Sequence, residues 1–400
     1  MSFELNNEQR KYLGLELVEN NWEKVTLKGD SYRPSSILYF DENTIRKQVL
    51  STELKYSEIQ YNEETENREF LLPKTQKGKP KKLTSSTLES KTPIGTYFDF
   101  GISGITIGNH TTQNTFYSTH FENIKFKNIS DLKNWLNDFI KNSTSEDLES
   151  IKEFSSKKRK RIKLKAGDFF AFKVDRRNYG FGRLICDLRP LRKDSKFKAN
   201  KNYGIMNLMT QPLVIKVYHF ISPTKETDLE ELKTKKSIPA QYIMDNVLFY
   251  GDYEVIGNQP LAEIEYDFPI SYSKSIHFGD FGTVYLQYGL IYKETTTKKY
   301  NKHLAIENPD KNAKSWEKVL KSNPYRIESI RANLNFHKET LDNCIKINSN
   351  QPYWESENYE LEADLRNPKN KSAKKEIFEF FNLNPNETYY ENLKKIKNVW

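Results

Sequence analysis

A chain of 400 residues exceeds what one hydrophobic core normally organises, so two domains are expected, each able to bury a sizeable core. Apolar residues make up 36% and charged residues 29%, which is polar for a globular protein, yet 13% aromatic content excludes a disordered chain and makes Phe and Tyr the main core formers. The net charge of +9 permits a nucleic-acid partner without selecting one, because acidic stretches such as Glu63-Glu64-Thr65-Glu66 and Glu355-Ser356-Glu357 interrupt the basic residues.

The N-terminal stretch MSFELNNEQRKYLGLELVENNWEK lacks the basic-then-apolar order of a signal peptide, and no run approaches the roughly 18 apolar residues of a membrane span. A cytoplasmic protein without a membrane partner is expected. From Val25 to Phe126 the sequence reads as short antiparallel strands: SILYF and IRKQVL flank a DENT turn, and the loop PKTQKGKPKK precedes GTYFDFGISGITIG. Ser130 is expected to cap a helix carrying Leu132, Trp135, Leu136, Phe139 and Ile140, and Thr144 with Asp147 to open a second through Leu148 and Ile151. These elements define a β-rich domain over residues 1–155, closed by two helices, whose role the residues do not reveal.

The run Lys157-Lys158-Arg159-Lys160-Arg161 marks the boundary, read as a solvated linker in preference to a nucleic-acid clamp, since no aromatic residues interleave it. Alternation at Ile162 and Leu164 then predicts a strand. A hairpin follows in RIKLKAGDFFAFKVDRRNYGFGRLICDL, turning at Arg176-Arg177-Asn178. Next come LVIKVYHFI, a short helix around Leu229 and Leu232, then DNVLFYGDYEVIGNQPL and TVYLQYGLIY, taken as strands of one sheet or partly open barrel over 160–295. Helices are predicted over 312–400: Ser315 to Leu320, an amphipathic helix through Ile327, Ile330, Leu334, Leu341 and Ile345 with Pro324 near its start, then Ser372 to Phe381 and Glu387 to Trp400. The fold class is α+β, with residues 156–400 as the second domain and its helical layer packed on the sheet.

Clustered nucleophiles, bases or metal ligands would announce an enzyme, and none stands out: P-loop, HExxH, GxSxG and CxxC are all missing. Cys186 and Cys344 have no metal-ligand spacing. His110 and His120 could meet across a hairpin to hold a metal or move a proton, although a structural role suits them better, and His219 reads as a satisfied core or face residue. Asp168 and Asp175 flank the hairpin as a carboxylate pair, yet Gly167-Asp168 is a turn dipeptide whose Asp can bond its own loop. Arg183 suits an anion or a partner carboxylate, and equally an internal salt bridge or stacking on an aromatic ring. No catalytic residue, metal or cofactor is assigned. The aromatic residues around Phe249, Tyr250, Tyr253, Tyr266, Phe268, Tyr272 and Tyr288 supply candidate anchors, and Arg183, Tyr250, Tyr253 and Tyr272 are the candidate partner-binding residues.

The order of KAGDFFAFKVDRRNYGFGRLI and NVLFYGDYEVIGNQPL resembles the immunity protein 26 family of bacterial toxin-immunity systems. The matching positions are the turn Gly167-Asp168, the segment Tyr179, Gly180, Gly182, Arg183, and the turn Ile256, Gly257, Pro260 before Leu261, all read as structural. The resemblance covers about residues 160–295 and implies a protein that neutralises a cognate protein toxin by blocking its active or target-binding surface, without catalysis. Two alternatives stand beside it: a nucleic-acid-associated defence protein, and a hydrolase using His110 or His120 in the first domain.

Overall fold

The computed structural model describes residues 3–75, 77–119, 124–193, 195, 212–274, 282–304, 325–327, 354 and 364–397. Its contacts divide the chain into two compact units: unit 1 holds 1–162, 173–178 and 250–252, and unit 2 holds 163–172, 179–249 and 253–400. Where the sequence suggested one break near residue 156, short pieces of the later chain belong to unit 1.

Unit 1 begins with helix α1 (Asn7–Tyr12) and is built on antiparallel strands β1 (Glu23–Leu27), β2 (Ser36–Asp41), β3 (Thr44–Ser51), β4 (Tyr56–Glu66), β5 (Phe70–Leu71) and β6 (Lys81–Lys82). Helix α2 (Ser85–Glu89) precedes β7 (Ile94–Gly101), β8 (Gly104–Asn109) and β9 (Asn114–Ser118). The sheet runs β1-β2-β3-β4-β7-β8-β9, with β5 on β4 and β6 on β5. Period-two alternation divides its core in two. On β2, Ile37 and Tyr39 join a cluster with Phe98, Phe100, Ile105, Ile107 and Phe116, while Leu38 and Phe40 join another with Leu27, Ile45, Tyr61, Leu71 and Leu88. β2 is therefore apolar on both faces.

Helices α3 (Ile129–Lys141) and α4 (Ser145–Ser156) cover the first face with Leu132, Leu136, Phe139, Ile151 and Phe154 at helical spacing. The cap of α3 is Asn128, whose side chain accepts from the Ser130 N–H, so the expected start at Ser130 falls inside the helix. Thr144 and Asp147 form a reciprocal capping box on α4.

Unit 2 contains an open five-stranded antiparallel sheet of β10 (Asp168–Lys173, whose last residue counts in unit 1), β11 (Tyr179–Asp187), β12 (Pro212–Ser222), β13 (Gln241–Met244) and β14 (Glu254–Asn258). Its order is β13-β12-β11-β10-β14, so it does not close into a barrel. Helices α5 (Leu188–Leu191), α6 (Leu229–Thr234) and α7 (Asn246–Phe249) lie in its connections. A second sheet, β15 (Ile270–Lys274), β16 (Thr283–Tyr288) and β17 (Ile291–Thr296), is separate, which corrects the expectation of one sheet or barrel over 160–295. Two further expectations fail: NVLF is the helical turn α7, and Ile162 and Leu164 lie outside any strand.

Helices α8 (Lys371–Phe380) and α9 (Tyr389–Lys397) pack Ala373, Ile377, Phe378, Tyr389 and Leu393 against Phe268, Ile270, Tyr272, Val284, Leu286 and Tyr288 of the three-stranded sheet. The chain is thus α+β and β-rich, with C-terminal helices. The helices expected between Ser315 and Ile345 lie outside the described residues, apart from 325–327, where Tyr325 forms an isolated bridge with Tyr272.

Candidate functional site

The glycines and polar residues singled out in the sequence converge in unit 2 where β10, β11 and β14 meet. Gly167 has φ +89°, a backbone state that a side chain disfavours, and a Cβ there would lie 2.0 Å from the Gln259 carbonyl. Its N–H donates to Leu184 O at 2.8 Å and its carbonyl accepts from Gln259 N at 3.2 Å. Asp168 accepts from the Lys165 N–H and from Asn258 Nδ2, both at 2.7 Å, so its carboxylate ties the turn to the end of β14. Gly182 gives room to the Phe170 ring and the Lys216 carbonyl, which a Cβ would meet at 2.3 and 2.6 Å. Gly257 makes the same allowance for Leu229. Gly180 pairs with Ile221, and Tyr179 and Ile256 pack on the cluster of Phe169, Phe181, Tyr218 and Leu232.

Arg183 is the centre of this arrangement. It is 0% exposed, and its Nη2 donates to the carbonyls of Gln259 at 2.8 Å and Pro260 at 3.0 Å. Its Nη1 pairs with the Glu265 carboxylate, and the guanidinium lies 4.4 Å from the Phe169 ring centre. Lys216 stands opposite Arg183 in the β11–β12 register and reaches the same Glu265 oxygen at 3.2 Å. Burial pushes the Glu265 carboxyl up, but the Ala262 N–H, Lys216 and Arg183 outweigh it and hold the group below the usual range. Burial lowers Lys216 against the opposing pull of Glu265. Two cations therefore hold one carboxylate, and the loop from Asn258 to Glu265 is fixed to the sheet at both ends.

The partner-binding candidates require correction. Arg183 directs Nη1 and Nη2 to acceptors inside the fold, and its Nε is buried without a partner among the described residues. Tyr253, 7% exposed, stacks on Phe170 with ring centres 5.6 Å apart, and Tyr272, 0% exposed, donates to the Lys302 carbonyl. None of the three presents a surface anchor. Tyr250 is half-buried in unit 1, under the Arg159 guanidinium at 4.3 Å.

The chemistry-bearing groups do not assemble a reactive centre in the described residues, and no group of three or more metal-ligating side chains occurs there. His110 stacks on Tyr97 at 4.2 Å and burial lowers its pKa, while His120 and Cys344 lie outside the described residues. His219 is pushed down to about 4 by burial and Lys236, and neither ring nitrogen has a partner among the described residues, unlike the satisfied histidine expected. Asp175 accepts from the backbone N–H groups of Arg177 and Asn178, which closes the hairpin turn. The Cys186 thiol is pushed up to about 12 by burial and Asp187, so it is no nucleophile at neutral pH.

Unit 1 contains one further buried charge cluster: Glu58, 1% exposed, accepts from Arg10 at 2.9 Å, Lys47 at 2.9 Å and Tyr56 Oη at 2.6 Å. Burial raises the Glu58 carboxyl, and Lys47 and Arg10 reverse the sign and hold it low. Every oxygen is occupied by the fold itself.

Lys216, Glu265 and Ile264 escaped sequence reasoning. Lys216 is a lone cation in the apolar stretch LVIKVYHFI, which is a legible sign of a buried partner; Glu265 has no local signature. Ile264 lies in the 3-10 turn Glu263–Glu265 and is 78% exposed, beside the Glu265 carboxylate held by Arg183; on its other side Glu263 meets Lys394 at 3.0 Å in an exposed ion pair.

Residues 165–281 match the family model of Immunity protein 26, a partial segment of the chain that contains this arrangement. No curated protein and no solved structure matches.

Proposed function

We propose that this chain is an immunity protein that binds a cognate bacterial toxin through unit 2 and blocks the toxin's active or target-binding surface without catalysis, in the cytoplasm of the producing cell. The match of residues 165–281 to Immunity protein 26 carries this reading. The structural argument beside it concerns preorganisation. A binding loop loses less entropy on association when its conformation is already fixed. The loop 258–265 has that property, because Asp168, Arg183 and Lys216 hold it from below.

Ile264 then becomes the anchor. A single exposed apolar side chain is unremarkable by itself, but this one tops a turn whose Glu265 carboxylate is held by Arg183 and Lys216, and that support favours it as the anchor. The toxin is expected to supply an apolar pocket rimmed by polar groups. Binding of the full chain to the toxin encoded beside its gene is measured by calorimetry. Ile264→Asp is expected to weaken it at least 30-fold, on the order of 2 kcal/mol for a central anchor, with an unchanged melting temperature. Submicromolar affinity for no neighbouring toxin, and no rescue on co-expression, would overturn the reading.

A further inference from the structure

The basic run Lys157–Arg161 leaves α4 at its C-cap, Lys157, and continues outside helix and strand with all five side chains exposed. Its middle residue touches the rest of unit 1. Arg159 Nη2 donates to Gln113 Oε1 at 3.4 Å, and the same guanidinium lies over the Tyr250 ring at 4.3 Å. All of these residues belong to unit 1. The sequence reads the run as a plain linker because no aromatic residue is interleaved, but the fold supplies one from the segment 250–252.

Lys157, Lys158 and Lys160 stand on either side of that arginine, and none of them is held in an ion pair among the described residues. Lys173 is near enough to Lys157 for the two to repel, and burial, followed by the Arg176 charge, pushes Lys173 down to about 8. Arg176 and Arg177 pair with Asp147, and Asp175 is used by its own turn, so the carboxylates of this neighbourhood are engaged with cations or backbone. Glu153, one helical turn before Lys157, is exposed and is the only acidic residue within four positions of the run in sequence.

We infer that Lys157–Arg161, with the Arg159–Tyr250 stack at its centre, is a binding surface for single-stranded nucleic acid. Outside helix and strand, successive cations of the run can follow one phosphodiester strand. An unpaired base can stack on an arginine plane or an aromatic ring, and Arg159 over Tyr250 presents such a platform. Duplex recognition by a helix or ribbon in the major groove does not suit a short irregular segment. This surface is independent of Ile264 and of toxin binding.

The test is fluorescence anisotropy of the full chain with labelled oligo(dT) and oligo(U) across about 50 to 200 mM salt. Neutralising three phosphates of a single strand with Lys157, Lys158 and Lys160 gives a log–log slope near −2.1 (about 0.7 per phosphate), a loss of about 20-fold over that range. The double variant Lys158→Ala/Lys160→Ala is expected to make the slope shallower by about 1.4. Tyr250→Leu is expected to weaken binding about tenfold at unchanged slope, with circular dichroism and melting temperature confirming the fold. A flat salt response, full binding by the double lysine variant, or equal binding to phosphatidylserine–phosphatidylcholine vesicles would each overturn the assignment. Loss of the Ile264-dependent toxin binding with oligonucleotide binding intact would refute only the immunity reading.

Discussion

Replacing Arg183 by Met removes the charge and donors at the centre of unit 2 while keeping an unbranched apolar stem of similar length. The consequences can be counted. The carbonyls of Gln259 and Pro260 lose their donor, Glu265 keeps Lys216 at 3.2 Å and the Ala262 N–H at 2.8 Å, and the contact with the Phe169 ring at 4.4 Å is weakened. Breaking a buried ion pair from one side costs about 3–5 kcal/mol, because the remaining charge stays uncompensated. The Lys216 ammonium softens that here, since it retains the carboxylate, so a loss of about 3 kcal/mol is expected. Urea unfolding followed by near-UV circular dichroism gives the value at constant slope. Glu265→Gln alone should cost less, and the double variant should show a coupling of at least about 1 kcal/mol between the two residues. If Arg183→Met lies within about 0.5 kcal/mol of the parent, the claim that this arginine fixes the 258–265 loop is wrong.

Gly167→Ala forces a Cβ to 2.0 Å from the Gln259 carbonyl at φ +89° and is expected to destabilise unit 2 by more than about 2 kcal/mol, read as a lowered urea midpoint. Asp252, which accepts from the Thr115 N–H at 2.9 Å, is raised by burial to about 6 from an ordinary 3.8. The fold therefore favours its protonated form, so the penalty is absent below the unfolded value, grows between the two, and is complete above about 6. Asp252→Asn keeps the acceptor and should raise stability at pH 8 by up to about 3 kcal/mol while changing it little at pH 3.5. Glu58 has the opposite sign: its folded pKa is held below the ordinary 4.5, so its contribution is present above that value and is lost as pH falls through the folded one. Glu58→Gln leaves Arg10 and Lys47 facing each other in the core, and a loss of about 3–5 kcal/mol at pH 7, shrinking on acidification, is the expected unfolding result.

The strands and helices of unit 1 were legible where local chemistry is decisive. Alternation over 36–51 and 95–108 gave β2, β3, β7 and β8, and the Thr144–Asp147 pair gave the start of α4. The long strand β4 was less legible because Glu58, near its start, breaks the apolar rhythm, and it does so because Arg10 and Lys47 come from elsewhere in the chain to meet it. NVLF misled in the other direction. Four apolar or neutral residues fit a strand as well as a helical turn, and the turn is set by backbone bonds such as Phe249 N–H to Asp245 O at 2.8 Å, which no pattern of side chains records.

The same distinction explains the site. Sequence spacing exposes turn glycines and an arginine after Tyr-Gly-Phe-Gly, and the order of those pieces carries the resemblance to an immunity family. It does not say which way the arginine points. The β11–β12 register places Arg183 beside Lys216, and the 3-10 turn brings Glu265 under both, 82 residues after Arg183. That long-range closure turns a residue that looked available to a partner into the support of a loop. It transfers the question of recognition from Arg183, Tyr253 and Tyr272 to the side chain that the supported loop presents, Ile264. A partner that reads Ile264 should thus be sensitive to Arg183 only through the loop: Arg183→Met should slow association and weaken affinity as the loop loosens, whereas Ile264→Asp should act on a loop that stays fixed.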